Sequence, residues 1–222
     1  MIPQLSADKL LSLILSFRIV FTALPILLIA AMLIAFLAMT ARGIGRLCIE
    51  FCLTLPIIFP PIGIGFLLVF LFGANGALGQ MMGIDLMFSF PGLVLAACIS
   101  GIPFIAQPII AGMDSRLLNL CEASHTMGKG KAATFFLVIL PLLKNNIIAG
   151  ALLASARILG EVGISLMIGG NIRGKTNTIS LEIYNAVLDG DNREALILSM
   201  FLIFVSISIF SLIRFLTRKD TW

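Results

Sequence analysis

The chain has 222 residues, 59% of them hydrophobic and 12% charged, with a mean hydropathy of +1.12. A soluble domain is about a quarter charged, so this composition excludes a water-bathed globule and leaves no stretch for a separate catalytic domain; the solvent it fits is a bilayer. The net charge of +4 reads as loop bias at a membrane face rather than a nucleic-acid surface, since the sequence has no arginine–aromatic patch of the kind that binds single strands.

A hydrocarbon core takes roughly 20 apolar helical residues to cross. The first candidate span runs from about Ser12 to Met39, interrupted only by Arg18, and carries Pro25 as a kink point. It is longer than a signal-peptide core and has no small-residue cleavage site, so no cleavable leader is expected. The second runs from about Leu47 to Phe72 and contains Pro56, Pro60 and Pro61, then Gly63 and Gly65. Such an interruption is tolerated where neighbouring helices cover the freed backbone. It fits either a packing kink or the broken helices found beside transport pathways.

A short polar link, FGANGALGQMMGID, precedes a third span from about Phe88 to Met113, with Pro91, Pro103 and Pro108. A polar stretch from Asp114 to Lys131 follows. The fourth span starts after Lys144 and reaches about Gly169; a second polar loop covers Asn171 to Arg193; the last span is about Ala195 to Leu216. The expected fold is all-α, a single polytopic membrane domain over 1–222 with five spans. A sixth would require the ten residues Thr134 to Leu143 to enter the bilayer alone, which is too few.

Lys and Arg in short loops set orientation. With the N-terminus outside and the C-terminus inside, the inner side carries Arg42, Arg46, Arg116, Lys129, Lys131, Lys144, Arg214, Arg218 and Lys219, against Lys9, Arg18, Arg173, Lys175 and Arg193 outside.

The inner loop reads EASHTMGKGKAATFFLVILP, Glu122 to Pro141. Glu122 to Met127 are good helix formers, and Gly128 is placed to end the helix in a left-handed turn. The pattern resembles the EAA loop of ABC importer permeases: E-A-A, three residues, G, nine residues, I, one residue, L-P. Glu122, Ala123 and Ser124 hold the first three positions, Gly128 the glycine, Val138 the isoleucine, and Leu140 with Pro141 the end, without a gap. Ser124 and Val138 are mild departures. In that family the element receives the movement of the ATPase.

The similarity extends to the molybdate permease family through Phe59–Gly79, Phe88–Ala97, Ala156–Val187 and the EAA loop; the family usually has proline where Arg173 stands. Tungstate and sulfate permeases share much of the pattern. The resemblance implies a type I ABC importer permease fold and a homodimer with its path at the subunit interface. It also implies two cytoplasmic ABC ATPase subunits, which use ATP and Mg, and an external oxyanion-binding protein. No cofactor is expected on this chain, nor any nucleic acid. The implied location is the cytoplasmic membrane, multi-pass.

Within the fourth span Arg157 and Glu161 lie four residues apart. An arginine at mid-membrane costs about 2.5–3.5 kcal/mol on insertion scales, and an i,i+4 carboxylate offsets part of it. Two readings stand: a structural ion pair facing the bundle, or an Arg157 that attracts a dianion with Glu161 holding it. Asn171, Thr176, Asn177 and Thr178, with Arg173 and Lys175, supply donors on the outer side, for an oxyanion or for an ordinary turn. Arg46 and Glu50 read as a structural pair.

Three motifs carry no chemistry on this reading. GGNIRGKT, Gly169 to Thr176, matches a phosphate-binding loop in letters, but it follows a transmembrane span instead of a strand, and no magnesium-holding Asp strand accompanies it. Cys48, Cys52, Cys98 and Cys121 lack paired ligands for zinc. With His125 as the single histidine, no nucleophile–base constellation forms. A self-sufficient anion channel or carrier is the rival class; an ATPase docking loop separates the two, because a channel needs none.

Overall fold

In a computed structural model the described residues are 7–41, 43–73, 76–82, 86–113 and 115–217. Arg42, Arg218 and Lys219 of the charge count lie outside them. Helix α1, Ala7–Thr40, is unbroken through Pro25. Its inward face is a four-residue series, Ala23, Leu27, Ala31 and Ala35, each at most 1% exposed. Water is no driving force between helices in lipid; small residues at this period let backbones approach and gain dispersion contact.

That face packs on α5, Phe90–Ala111, which also receives α9, Lys144–Leu159. The close approaches are made by glycine. A Cβ on Gly101 would stand 2.9 Å from Leu27, and one on Gly150 would stand 3.0 Å from the Ile105 backbone. Helix α5 is therefore the central post: α1 runs parallel to it and α9 antiparallel. Its entry is capped by Ser89, whose hydroxyl accepts from the Gly92 N–H. Near its exit the Asn146 amide donates to the Pro108 carbonyl at 2.9 Å.

Of the two readings of Leu47–Phe72, a packing kink or a broken helix, the structure has the second. Helix α2, Ile44–Ile58, and helix α3, Pro61–Phe72, meet at 108°. Pro60 and Pro61 each lack an N–H, and ψ near 130–140° at Phe59 and Pro60 takes the chain out of helical geometry. The polar link beyond contains a short helix, α4, Ala77–Met82.

The segment 131–142 is also half of a broken span. Helix α7, Lys131–Thr134, passes through a π-helical turn, Phe135–Ile139, into α8, Leu140–Leu142, and bends 72° into α9. Among the described residues, three unbroken helices and two bent pairs are long and apolar enough to give up to five crossings when each pair counts as one, and Thr134–Leu143 falls within one of those pairs.

The fourth span does not reach Gly169 as one helix. It stops at Leu159 and restarts as α10, Gly163–Gly169. Nor is Asn171–Arg193 all loop: α11, Ile179–Leu188, occupies its middle, capped by Thr178 and burying Ile179, Leu181 and Ala186. Helix α12, Asn192–Thr217, closes the chain with 6% of its apolar window buried.

Two ends of the bundle result. One gathers the start of α1, the start of α5, the loop before α11 and the start of α12, tied by Lys9–Glu194 at 2.7 Å and by Arg18 over the Phe90 ring at 5.2 Å. The other holds the end of α1 and helix α6, Ser115–Thr126, with Phe36 edge-on to Phe135.

Candidate functional site

The inner loop is a helix with a defined stop. Helix α6 ends at Thr126; Gly128 takes φ +81, and the Lys129 N–H donates to the Ser124 carbonyl at 3.1 Å. That six-to-one bond with glycine in the left-handed region is a Schellman cap, as the Gly128 expectation required. Glu122 and Ala123 are exposed, as are Leu120 and Met127, so the helix offers one polar and apolar edge to a partner. Its other edge is pinned: Ser124 and Thr134, 1% and 0% exposed, share a hydrogen bond of 3.0 Å.

Of the downstream motif positions, Val138 and Leu140 are half-buried and Pro141 is exposed. The anchors are residues that sequence reasoning missed, Thr134, Phe135 and Ile139, all at most 2% exposed. The four-residue step from Phe135 to Ile139 was the available signal. Cys121 lies buried on the same helix, and burial pushes its thiol above the usual range.

Arg157 and Glu161 are together at the break between α9 and α10. The guanidinium Nη1 is 2.6 Å from Glu161 Oε2, an ion pair by charge without an aligned hydrogen bond. Glu161 Oε1 accepts from the Ile164 N–H at 2.8 Å. Each charge sits where a helix end favours it, a cation in the last turn of α9 and an anion ahead of α10. The carboxylate side chain is 2% exposed and the arginine 28%, so Arg157 keeps an open flank. Gly163 brings the α2–α3 break against this one: a Cβ there would meet Pro61 Cβ at 2.8 Å and the Ile62 N at 3.0 Å.

The remaining candidates surround the outer end of α10. Thr176, fully buried, donates to the Gly169 carbonyl at 2.6 Å and accepts from the Ile172 N–H at 3.0 Å. Thr178 caps α11, and its side chain lines a small void with Ser16, Glu161 and Ser165. Asn171, at φ +53, exchanges amide hydrogen bonds with Asn185. Asn177 donates to Glu182, and both are buried. Arg173 pairs with Asp189 at the surface, and Arg46 with Glu50 as expected.

This geometry also disposes of the phosphate-loop resemblance. The N–H groups of Lys175, Thr176 and Asn177 all donate to the Ile172 carbonyl, so they cannot cradle a phosphate.

Comparison with known proteins places these features. Residues 32–219 match the family described as binding-protein-dependent transport system inner membrane component. A molybdenum transport system permease protein of Azotobacter vinelandii is 37% identical over 137 residues, covering 60% of this chain and 61% of that protein. The corresponding protein of Haemophilus influenzae is 30% identical over 194 residues, 85% of each chain. A sulfate transport system permease protein of Synechococcus elongatus is 33% identical over 145 residues, 64% of this chain and 51% of that protein. The chain thus spans about three fifths of the first of these relatives.

Proposed function

The chain belongs to the family of binding-protein-dependent transport system inner membrane components, and from that premise we propose that it is the membrane-spanning subunit of an ATP-driven importer of molybdate. The observation that carries the reading is the inner loop: a capped, exposed helix pinned through Ser124 to Thr134. A self-contained channel has no use for such a projecting element.

On this reading the chain is not an enzyme and holds no cofactor. It works as a homodimer with two copies of a cytoplasmic ABC ATPase, which uses ATP and Mg, and it receives its oxyanion from an external binding protein. The N-terminus lies outside and the C-terminus inside the cytoplasmic membrane, which puts Glu122–Pro141 on the ATPase side. The helix carrying Glu122, Ala123 and Ser124 docks on the ATPase. Movement is then passed through Thr134 and the π-helical turn toward α9.

The path runs past the two helix breaks. Arg157, with its open flank, attracts the dianion, and Glu161 fixes the guanidinium. Asn171, Thr176 and Thr178 shape the outer mouth through the loop they hold. The identity to relatives named for molybdenum supports that substrate; the sulfate relative supports sulfate, or the similar tungstate ion, as the second reading.

Reconstitution in vesicles with the ATPase and binding protein tests the proposal: ATP-dependent uptake of labelled molybdate, outcompeting sulfate, is expected. Uptake by the chain alone, without ATP, would move it to the channel class.

A further inference from the structure

Between the docking helix and α9 the chain holds one residue more than its packing needs. Phe135, Ile139 and Leu143 are 2%, 1% and 4% exposed, an anchor at every fourth position. In a regular α-helix each four-residue step overshoots a full turn by about 40°. The turn Phe135–Ile139 takes out the first overshoot by widening: the Leu140 N–H donates to the Phe135 carbonyl, five residues back instead of four. Phe136 and Leu137, inside that turn, are exposed. Removal of either would set the three anchors three and then four residues apart, the spacing of one face of an ordinary α-helix.

Both ends of this stretch are held. On the docking side Thr134 shares a hydrogen bond of 3.0 Å with Ser124 of α6, and Phe135 lies edge-on to Phe36 of α1. On the far side Leu143 packs so closely on Gly112 that a Cβ there would stand 2.6 Å from the leucine Cδ2, and Asn146 donates to the Pro108 carbonyl. Pro141 weakens the helix in between. It has no N–H, and in a regular helix its ring crowds the Leu137 carbonyl. A surplus residue with a weak point beside it, between ends fixed to different elements, makes a joint. Wide turns of this kind occur singly within α-helices, frequently at functional sites.

We propose that Phe135–Ile139 is a slip joint in the coupling path. When the ATPase moves α6, the surplus residue shifts from this turn toward the 72° bend ahead of α9. Ile139 then leaves its seat, and the docking side moves as a unit with Thr134 while Leu143 stays on Gly112. The inference rests on the importer reading and adds a moving part to it.

Reconstitution with the ATPase and the binding protein tests it, using a chain from which Leu137 is deleted, so that the turn closes into a regular helix. The deletion variant should fold with an undiminished thermal midpoint and retain the ATPase on co-purification, yet hydrolyse ATP with loss of molybdate uptake. Leu137→Ala, which keeps the residue count, should leave uptake per ATP unchanged. Parental uptake by the folded deletion variant would overturn the proposal, and so would an equal loss in Leu137→Ala. If the deletion variant does not fold, amide exchange over residues 135–143 of the parental complex decides. Exchange that differs between nucleotide-free and ATP-bound complexes supports the joint, and identical exchange overturns it. Failure of the parental chain to retain the ATPase would sink the importer reading and this proposal with it, whereas no result from the deletion variant touches that reading.

Discussion

Gly163 lies so close against Pro61 that a methyl group on the glycine would stand 2.8 Å from the proline Cβ. The two residues open α10 and α3, so the two helix breaks are in van der Waals contact.

That contact has a direct test. Gly163→Ala forces backbone apart, since the Ile62 nitrogen is also 3.0 Å from the new carbon, and overpacking of this kind costs about 1–3 kcal/mol. Gly160→Ala, with nothing nearer than 3.7 Å, should be tolerated. Thermal unfolding in detergent should show a lowered midpoint for the first variant alone, accompanied by slowed uptake. Equal midpoints would mean that the two breaks are free to separate.

The ion pair separates structure from transport. Arg157→Gln strands a carboxylate that is 2% exposed, and breaking a buried pair costs about 3–5 kcal/mol at the upper limit; the partial exposure of Arg157 reduces this. R157Q/E161Q removes the stranded charge and keeps an acceptor for the Ile164 N–H. The double variant should recover assembly, measured by co-purification of the ATPase, while uptake stays slow. Recovery of uptake to the parental rate would reduce the pair to a splice between α9 and α10.

Gly128 is isolated enough for its backbone role to be read alone. Nothing lies within 4 Å of a Cβ placed there, and its φ is +81. Gly128→Val therefore adds no clash, only left-handed strain of about 1–2 kcal/mol. Loss of the cap should splay the end of α6 and reduce ATPase co-purification, with Gly128→Asn retaining most of it. Undiminished co-purification with valine would show that docking does not depend on the cap.

Thr176→Val deletes two hydrogen bonds, to the Gly169 carbonyl and from the Ile172 N–H. Both groups are left without their partner, at a cost of about 1–3 kcal/mol each. Protease cleavage between residues 170 and 177 should accelerate while α11 persists.

Cys121 offers a pH readout outside the spans. Burial raises its thiol above the ordinary value, so the thiolate favours the unfolded chain, and the fold loses stability as pH climbs past the usual thiol range. Maleimide labelling of Cys121 should be slow at pH 8 in the folded protein and fast after unfolding. Fast labelling in both would mean that α6 is not packed as described.

Crossings and loops were legible because their signal is compositional. Leu, Ile, Ala and Phe runs of span length marked the three unbroken crossing helices and the α2–α3 pair, and Gly128 marked its turn by the conformation only glycine takes readily. The interruption at Leu159–Gly163 was missed: ILGEVGIS is apolar enough to continue a span, although Gly160, which caps α9, and Gly163, which packs on Pro61, stand at the break. Helix α11 was hidden by polar letters; NTISLEIY reads as loop until Thr178 is seen as its cap and Leu181 as core. The Arg157–Glu161 pair was found by spacing, but its place at a helix junction was not, because spacing does not report where a helix ends. Thr134 escaped because its partner, Ser124, is ten residues away on another element.

The tie between Lys9 and Glu194, and the Ser16 hydroxyl that accepts the Ile179 N–H across 163 positions of sequence, bear on biogenesis. Helix α1 is synthesised before α11 and α12, and these contacts form only once those helices have been made. Until then Lys9 lacks its carboxylate, while the Ser16 hydroxyl is already held by the Ser12 carbonyl within α1 and waits only to accept. A truncated product that lacks α11 and α12 would expose that end of α1, giving membrane quality-control proteases a mark by which an unfinished chain differs from a finished one.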